Sequence, residues 1–76
     1  MKIGDIVRNV SAVRTNPGVW ESNQQIKAGY LGIVLDIRHD TLNDPPLMDY
    51  VDVILSVDGQ AIRLGNYGAP TFKVVA

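Results

Sequence analysis

Apolar and polar residues alternate with a period of two along several stretches of the chain, which is the pattern of β-strands with one buried face. The clearest stretch runs from Tyr30 to Arg38. There Ile33, Leu35 and Ile37 are expected to share the buried face. The abundance of valine and isoleucine favours strands further, because side chains branched at Cβ fit a pleated surface better than a helix.

Further strands are expected at residues 3–8, 50–57, 60–64 and 71–75, with residues 9–14 extending the first strand past a kink. Asp58-Gly59 predicts a tight hairpin, because a two-residue primed turn needs residues that tolerate positive φ. Turn-forming residues indicate long loops at 15–29 and 39–49, and a compact connector with a 3₁₀ turn at 65–70.

The chain of 76 residues suits one domain, which this pattern assigns to residues 1–76 as an all-β fold. Because the sequence has no cysteine, apolar side chains must hold the domain together. The alternation predicts a core of ten residues. They are Val7, Ile33, Leu35, Ile37, Val53, Leu55, Ile62, Leu64, Phe72 and Val74.

The charge balance argues against nucleic acid as a partner. Seven basic and eight acidic residues leave a net charge of −1, whereas proteins that neutralise phosphates carry an excess of Lys and Arg. The start of the chain lacks the apolar segment of a secretion signal, and no apolar run approaches the roughly 18 residues of a membrane span. We therefore expect a cytoplasmic protein with no membrane attachment and an unused sequon at Asn9-Val10-Ser11.

Short motifs give the chain a resemblance to known small barrels. Gly4-Asp5-Ile6-Val7, then Gly29-Tyr30-Leu31-Gly32-Ile33-Val34, then Asp58-Gly59 resembles the pattern of KOW-type and related bacterial SH3-like barrels. The order of elements also resembles that of the SH3-like barrel, with a long first loop, a shorter second loop, a tight third hairpin and a 3₁₀ connector. The resemblance implies a small five-stranded SH3-like barrel.

The whole chain is also similar to small SH3-like proteins encoded by tailed phages and found in marine metagenomes. Those proteins begin with K-x-G-D-x-V and carry G-x-V-L-x-I in the second strand. Here the matching residues are Lys2-Ile3-Gly4-Asp5-Ile6-Val7 and Gly32-Ile33-Val34-Leu35-Asp36-Ile37, followed by a strand that ends in Ser56-Val57-Asp58-Gly59. This resemblance implies a fold without an established activity, and it implies that the expected cytoplasm is that of a bacterial or phage-infected host cell.

The chain differs from SH3-like domains of known function in its loops. KOW domains that bind RNA carry more basic loops, whereas Lys27 is the only cation here between Arg14 and Arg38. Signalling SH3 domains bind proline-rich peptides on an aromatic groove. Asn66-Tyr67 resembles the asparagine-tyrosine of their 3₁₀ turn, but their acidic first loop, paired tryptophans and groove proline have no clear counterparts in this sequence.

The sequence predicts neither an enzyme nor a metal or cofactor site. Catalysis needs a nucleophile beside a base or a pair of tuned carboxylates, and the chain has one His, one Glu and no Cys. His39 is expected to be a solvated loop residue. Aspartates surround the second loop at positions 36, 40, 44, 49 and 52, but their spacing matches no metal-binding loop.

Three aromatic residues are the candidate binding residues: Trp20, Tyr30 and Tyr67. Trp20 lies in the polar first loop, where it either caps the open end of the barrel or stays available to a partner. Tyr67 is expected beside it, because the connector and the first loop are neighbours in an SH3-like barrel. Val34 and Ile54 lie opposite the main core stripe, either because the strands bend or because they form an exposed strip for weak homo-oligomerisation.

The leading hypothesis is a non-enzymatic interaction module that binds an unidentified protein partner through its loops or a sheet edge. It follows from the missing catalytic set, the missing basic field and a fold often used for binding. The alternative is a KOW-like RNA-binding or ribosome-associated domain. Convergence of five cations on one face would favour that alternative. They are Arg8, Arg14, Arg38, Arg63 and Lys73.

Overall fold

The computed structural model of the chain describes residues 1–14 and 25–76 and confirms an all-β fold. The strands are β1 (Ile6–Asn9), β2 (Val13–Arg14), β3 (Gln25–Ile26), β4 (Leu31–His39), β5 (Asp49–Val57), β6 (Gln60–Gly68) and β7 (Phe72–Val74). A 3₁₀ turn at Ala69–Thr71 precedes β7, as the Gly- and Pro-containing connector predicted.

Five strands form one antiparallel sheet in the order β6–β5–β4–β1–β7, and β2 and β3 pair as a separate short hairpin. β6 and β7 lie at opposite edges of the sheet, which is therefore open. The five strands expected from the sequence match the five strands of this sheet. Among the described strands, no pairing joins the two edges, so the sheet does not close into a barrel.

The hairpin predicted at Asp58-Gly59 is confirmed. Both residues have positive φ, 51° and 83°, as a primed two-residue turn requires. The strand that follows is longer than predicted, because it continues through Gly65 and Asn66 to Gly68. Asn66 adopts a φ of 60° at a bulge where β6 has one residue more than β5. Pairing resumes beyond this bulge.

A second bulge lies in β4 and overturns part of the predicted core. Val34 pairs with Val53 and Asp36 with Asp52, so Leu35 is an extra residue on β4. Because an extra residue reverses the alternation, Val34 points inward before the bulge and Ile37 after it. Val34 is buried and Ile37 packs against the core, whereas Ile33 is 50% exposed. The assignment of Ile33 to the core is wrong.

The core lies on the inner face of the sheet, under the β2–β3 hairpin. Val7, Val53, Leu55, Leu64 and Phe72 are buried as predicted. Ile62 packs against them, and Leu35 is half-buried at the bulge. The assignment of Val74 to the core is also wrong, because this residue lies on the edge strand β7 and is exposed. The core contains four residues that alternation did not select. They are Val13, Ile26, Val34 and Val51.

Buried Asn9 holds the base of the first loop. Its Nδ2 donates to the carbonyl oxygens of Lys27 (2.8 Å) and Ser11 (3.1 Å), and its Oδ1 accepts the Tyr30 N–H (2.8 Å). The side chain thus joins the two ends of the segment that carries β2 and β3. Because the Asn9 amide is fully buried and its donors are occupied, the glycosylation sequon is inaccessible in the folded domain.

Candidate functional site

The second loop, residues 40–48, is organised by the carboxylate of Asp40 and is called the Asp40 loop below. Asp40 is buried. Its oxygens accept the Leu42 N–H (2.9 Å), the Asn43 Nδ2 (2.8 Å) and the Leu47 N–H (3.0 Å). These donors, the Leu47 N–H foremost, hold the pKa of Asp40 below its usual value. The ionised carboxylate therefore fixes the loop backbone.

This constrained loop presents apolar side chains to solvent. Leu42 is 94% exposed and Leu47 is 70% exposed, although the backbone N–H of each is held by Asp40. A leucine on a fixed backbone loses less conformational entropy on binding than a leucine on a flexible segment, and this smaller loss favours association. The Asp40 loop is thus a pre-organised apolar surface.

A groove runs from the Asp40 loop across the end of the sheet. Thr41, Asn43, Tyr50 and Asn66 line it. His39 lies at its rim, with its Nδ1 2.8 Å from Oδ1 of Asp49. The groove therefore combines one aromatic ring with polar side chains.

Asn66 also lines a neighbouring depression with Arg14, Gly65 and Tyr67. Asn66 lines both depressions, and the Asp40 loop, Tyr50, Asn66 and Tyr67 are together called the loop face below. The Tyr67 hydroxyl donates to the Arg14 carbonyl oxygen (2.6 Å) and accepts the Arg14 N–H. Its ring packs edge-on against Phe72, with centroids 6.2 Å apart.

Charges beside the loop face are paired. The Asp52 carboxylate binds Arg38 through two hydrogen bonds and lies 3.4 Å from Nη2 of Arg63. It also accepts the Asn66 N–H at 2.8 Å. Arg38 above all lowers the pKa of Asp52 to about 2. Arg38 also contacts Oδ1 of Asn66 at 3.3 Å, so this network positions the residue where the two depressions meet.

The three predicted binding residues have different outcomes. Trp20 lies outside the described residues. Tyr67 belongs to the loop face and contacts the backbone of Arg14. Its expected position beside Trp20 stays a prediction. Tyr30 is half-buried and lines a different groove, with Ile26 and Ile62. Among the described residues, Tyr30 and Tyr67 line two separate grooves.

The sequence pattern did not identify Leu42, Leu47, Tyr50 or Asn66 as binding residues. Leu42 and Leu47 flank Asn43-Asp44-Pro45-Pro46, and leucines inside such a turn-rich segment have no strand to place them in the core. That signal could have identified the apolar loop. Asn66 could have been found from Gly65-Asn66, since asparagine tolerates the left-handed conformation of a bulge.

Four of the five cations of the RNA hypothesis lie on the outer face of the sheet, and Arg14 lies apart from them. Arg8 and Lys73 are register partners on β1 and β7. Arg38 and Arg63 share the Asp52 carboxylate, while Arg14 lies on the β2–β3 hairpin. The strand cations share the outer face of the sheet by alternation, but two of them are paired with an acid.

Among residues 1–14 and 25–76, no group of three or more His, Asp or Glu side chains could hold a metal ion. The same ranges contain no helix long and apolar enough to cross a membrane. Comparisons with protein-family models, with curated proteins and with solved structures found no match for the chain.

Proposed function

We propose that the chain is a non-enzymatic interaction module with SH3-like architecture, which binds a protein partner through the loop face. The strand order β6–β5–β4–β1–β7 supports this architecture, as do the hairpin inserted between β1 and β4 and the 3₁₀ turn before β7. The observation that carries the function is the Asp40 loop, which exposes Leu42 and Leu47 while the Asp40 carboxylate holds the backbone N–H of each.

Binding through loops is better supported than binding through a sheet edge. A partner strand needs a regular row of free backbone groups. The β6 edge is interrupted by its bulge at Asn66, and β7 has only three residues. Each edge therefore offers only a short regular segment, whereas the loop face combines an aromatic groove with an exposed apolar loop.

Site-specific photo-crosslinking tests this function. A benzophenone amino acid at position 42 should capture a discrete protein from an extract of the source cells, whereas the same group at the exposed Gln60 should not. Unlabelled wild-type domain should compete away the product. Unlabelled Leu42→Asn domain should compete roughly tenfold less well or worse, as expected for a truncated binding hot spot. Equal capture at both positions, or equal competition by both domains, would contradict the proposal.

The adjacent cations Arg8 and Lys73 are the observation that favours the KOW-like RNA-binding alternative. We expect RNA to bind no more tightly than a dissociation constant of roughly 10⁻⁴ M at moderate salt, because a net charge of −1 gives no excess of cations to displace counterions. A fluorescence titration measures this constant. Micromolar binding that weakens with salt and is lost in Arg8→Gln/Lys73→Gln would favour RNA over a protein partner.

A further inference from the structure

The Asp40 loop and its base carry carboxylates that no lysine or arginine neutralises. Residues 39–62 contain five aspartates and neither lysine nor arginine. Asp40 accepts its hydrogen bonds from uncharged donors, namely two backbone N–H groups and one side-chain amide. Asp49 pairs with the His39 ring, whose formal charge at pH 7 is zero. Asp44 is exposed within the loop. These three carboxylates therefore bring three negative charges to one end of the sheet.

The arginines on the strands beside this loop are already balanced. In the part of the chain that the structure describes, every ion pair of a lysine or arginine is with Asp36 or Asp52, and the rest of the chain contains neither cation. Arg38 and Arg63 together match the charge of those two carboxylates. Arg14 lines the second depression of the loop face and adds one positive charge. Three unpaired carboxylates against one guanidinium leave the surface acidic, most strongly at the Asp40 loop.

Acidic and apolar side chains alternate along the Asp40 loop. Asp44 lies between Leu42 and Leu47 in the chain, and Met48, which is 40% exposed, directly precedes Asp49. A partner that covers the leucines therefore approaches the carboxylates as well. An acidic partner would be repelled, and a purely apolar partner would desolvate the carboxylates without a counter-charge. The surface thus favours a partner that offers cations beside apolar side chains.

Given the function proposed for the loop face, on which this inference rests, we propose that this face binds a basic segment of a protein, in which Lys or Arg residues flank large apolar side chains. The apolar side chains of the segment pack on Leu42 and Leu47, and its cations lie opposite Asp44 and Asp49. Exposed ion pairs of this kind are individually weak and are screened by salt. They determine which segment binds and how fast, while burial of the leucines supplies most of the affinity.

Selection from a library of random displayed peptides tests the chemistry of the partner. The wild-type chain should enrich peptides in which Lys or Arg flanks large apolar residues, and Leu42→Asn should enrich them far less. Enrichment of acidic or uncharged peptides that is lost in Leu42→Asn would overturn the basic partner and leave the function of the loop face standing. If the wild type enriches no peptide more than Leu42→Asn does, both proposals are wrong.

A fluorescence titration of an enriched peptide at low and high ionic strength tests the charges directly. At low salt Asp44→Asn should weaken binding roughly two- to fivefold, and this difference should shrink at high salt. Asp58→Asn is the matched control, because it removes the same charge from the hairpin at the other end of β5. It should bind as tightly as the wild type. Equal binding by wild type and Asp44→Asn at low salt, or equal weakening by Asp44→Asn and Asp58→Asn, would overturn the proposal.

Discussion

The Arg38 guanidinium donates two hydrogen bonds to the Asp52 carboxylate, at 2.6 and 3.1 Å. Asp52 lies on β5, opposite bulges in both neighbouring strands. Its Oδ1 also accepts the Asn66 N–H within the β6 bulge. One carboxylate therefore satisfies backbone and side-chain donors where the regular ladder is interrupted, and so stabilises the bend of the sheet.

The first prediction concerns acid stability. The pKa of Asp52 falls from 3.8 to about 2 in the folded chain, so its stabilising effect is present above the unfolded value and is lost as the pH falls toward 2. From the shift in pKa, the ionised Asp52 contributes at most about 2 kcal/mol to the free energy of unfolding. The true contribution is smaller, because solvent screens the exposed arginines. The lowered pKa of Asp40 acts in the same direction.

Urea denaturation across this pH range measures the effect. Asp52→Asn should be less stable than the wild type at neutral pH and should lose less stability on acidification. Asp58→Asn removes the same charge from the exposed hairpin turn and keeps a residue that tolerates positive φ. It should retain the wild-type response to acid. A parallel response of wild type and Asp52→Asn would show that Arg38 does not stabilise the ionised carboxylate.

The second prediction concerns the buried Asn9. Asn9→Ala leaves the Tyr30 N–H and the Lys27 and Ser11 carbonyl groups without their side-chain partner, so we expect a loss of about 2–4 kcal/mol in the free energy of unfolding. Ser11→Ala is the matched control, because Ser11 is exposed and contributes its backbone carbonyl to this contact. Chemical denaturation of both variants gives the comparison. Similar small losses in the two would argue against Asn9 as the anchor of the first loop.

Sequence pattern predicted the elements better than it predicted which residues face inward. Val53 and Leu55 alternate regularly on β5 and are buried as expected. Ile33 was misassigned because the extra residue Leu35 on β4 reverses the alternation, and nothing in an apolar run reveals a bulge.

The candidate site was less predictable still. Asp40 stabilises the second loop through backbone N–H groups at positions 42 and 47, and such contacts depend on loop geometry that no periodic pattern encodes. Tyr67 was identified because it is an aromatic residue in a connector. Arg14 was not identified as the hydrogen-bond partner of Tyr67, because the Tyr67 hydroxyl contacts only the backbone of Arg14.

The third prediction compares two glycines. A Cβ at Gly32 would collide with the Ile54 carbonyl oxygen and lie 2.7 Å from Cδ2 of Leu55. The backbone of β5 cannot move away without breaking the ladder, so Gly32→Ala should cost roughly 2 kcal/mol or more. A Cβ at Gly65 would approach nothing closer than Oδ1 of Asp52 at 3.7 Å, so Gly65→Ala should change stability little. Thermal unfolding of the two variants measures the difference, and equal midpoints would contradict the close packing of β4 on β5.

The last prediction separates two roles of Tyr67. Its hydroxyl both donates to and accepts from the backbone of Arg14, which ties the β2–β3 hairpin to β6. Tyr67→Phe keeps the ring against Phe72 but removes both hydrogen bonds, so the free energy of unfolding should fall by about 1–2 kcal/mol. Amide exchange at Arg14 should accelerate by more than this global loss explains, because the hairpin opens locally.

Tyr50→Phe is the control for that experiment, since it removes the hydroxyl of the other aromatic residue of the loop face and should leave exchange at Arg14 close to the wild-type rate. If Tyr67→Phe leaves Arg14 exchange unchanged and yet weakens capture of the partner, the hydroxyl acts in recognition rather than in holding the hairpin. If it accelerates exchange while capture is retained, Tyr67 positions the loop face and the apolar residues of the Asp40 loop make the contact. Because the two readouts respond independently to the two roles, a single substitution distinguishes them.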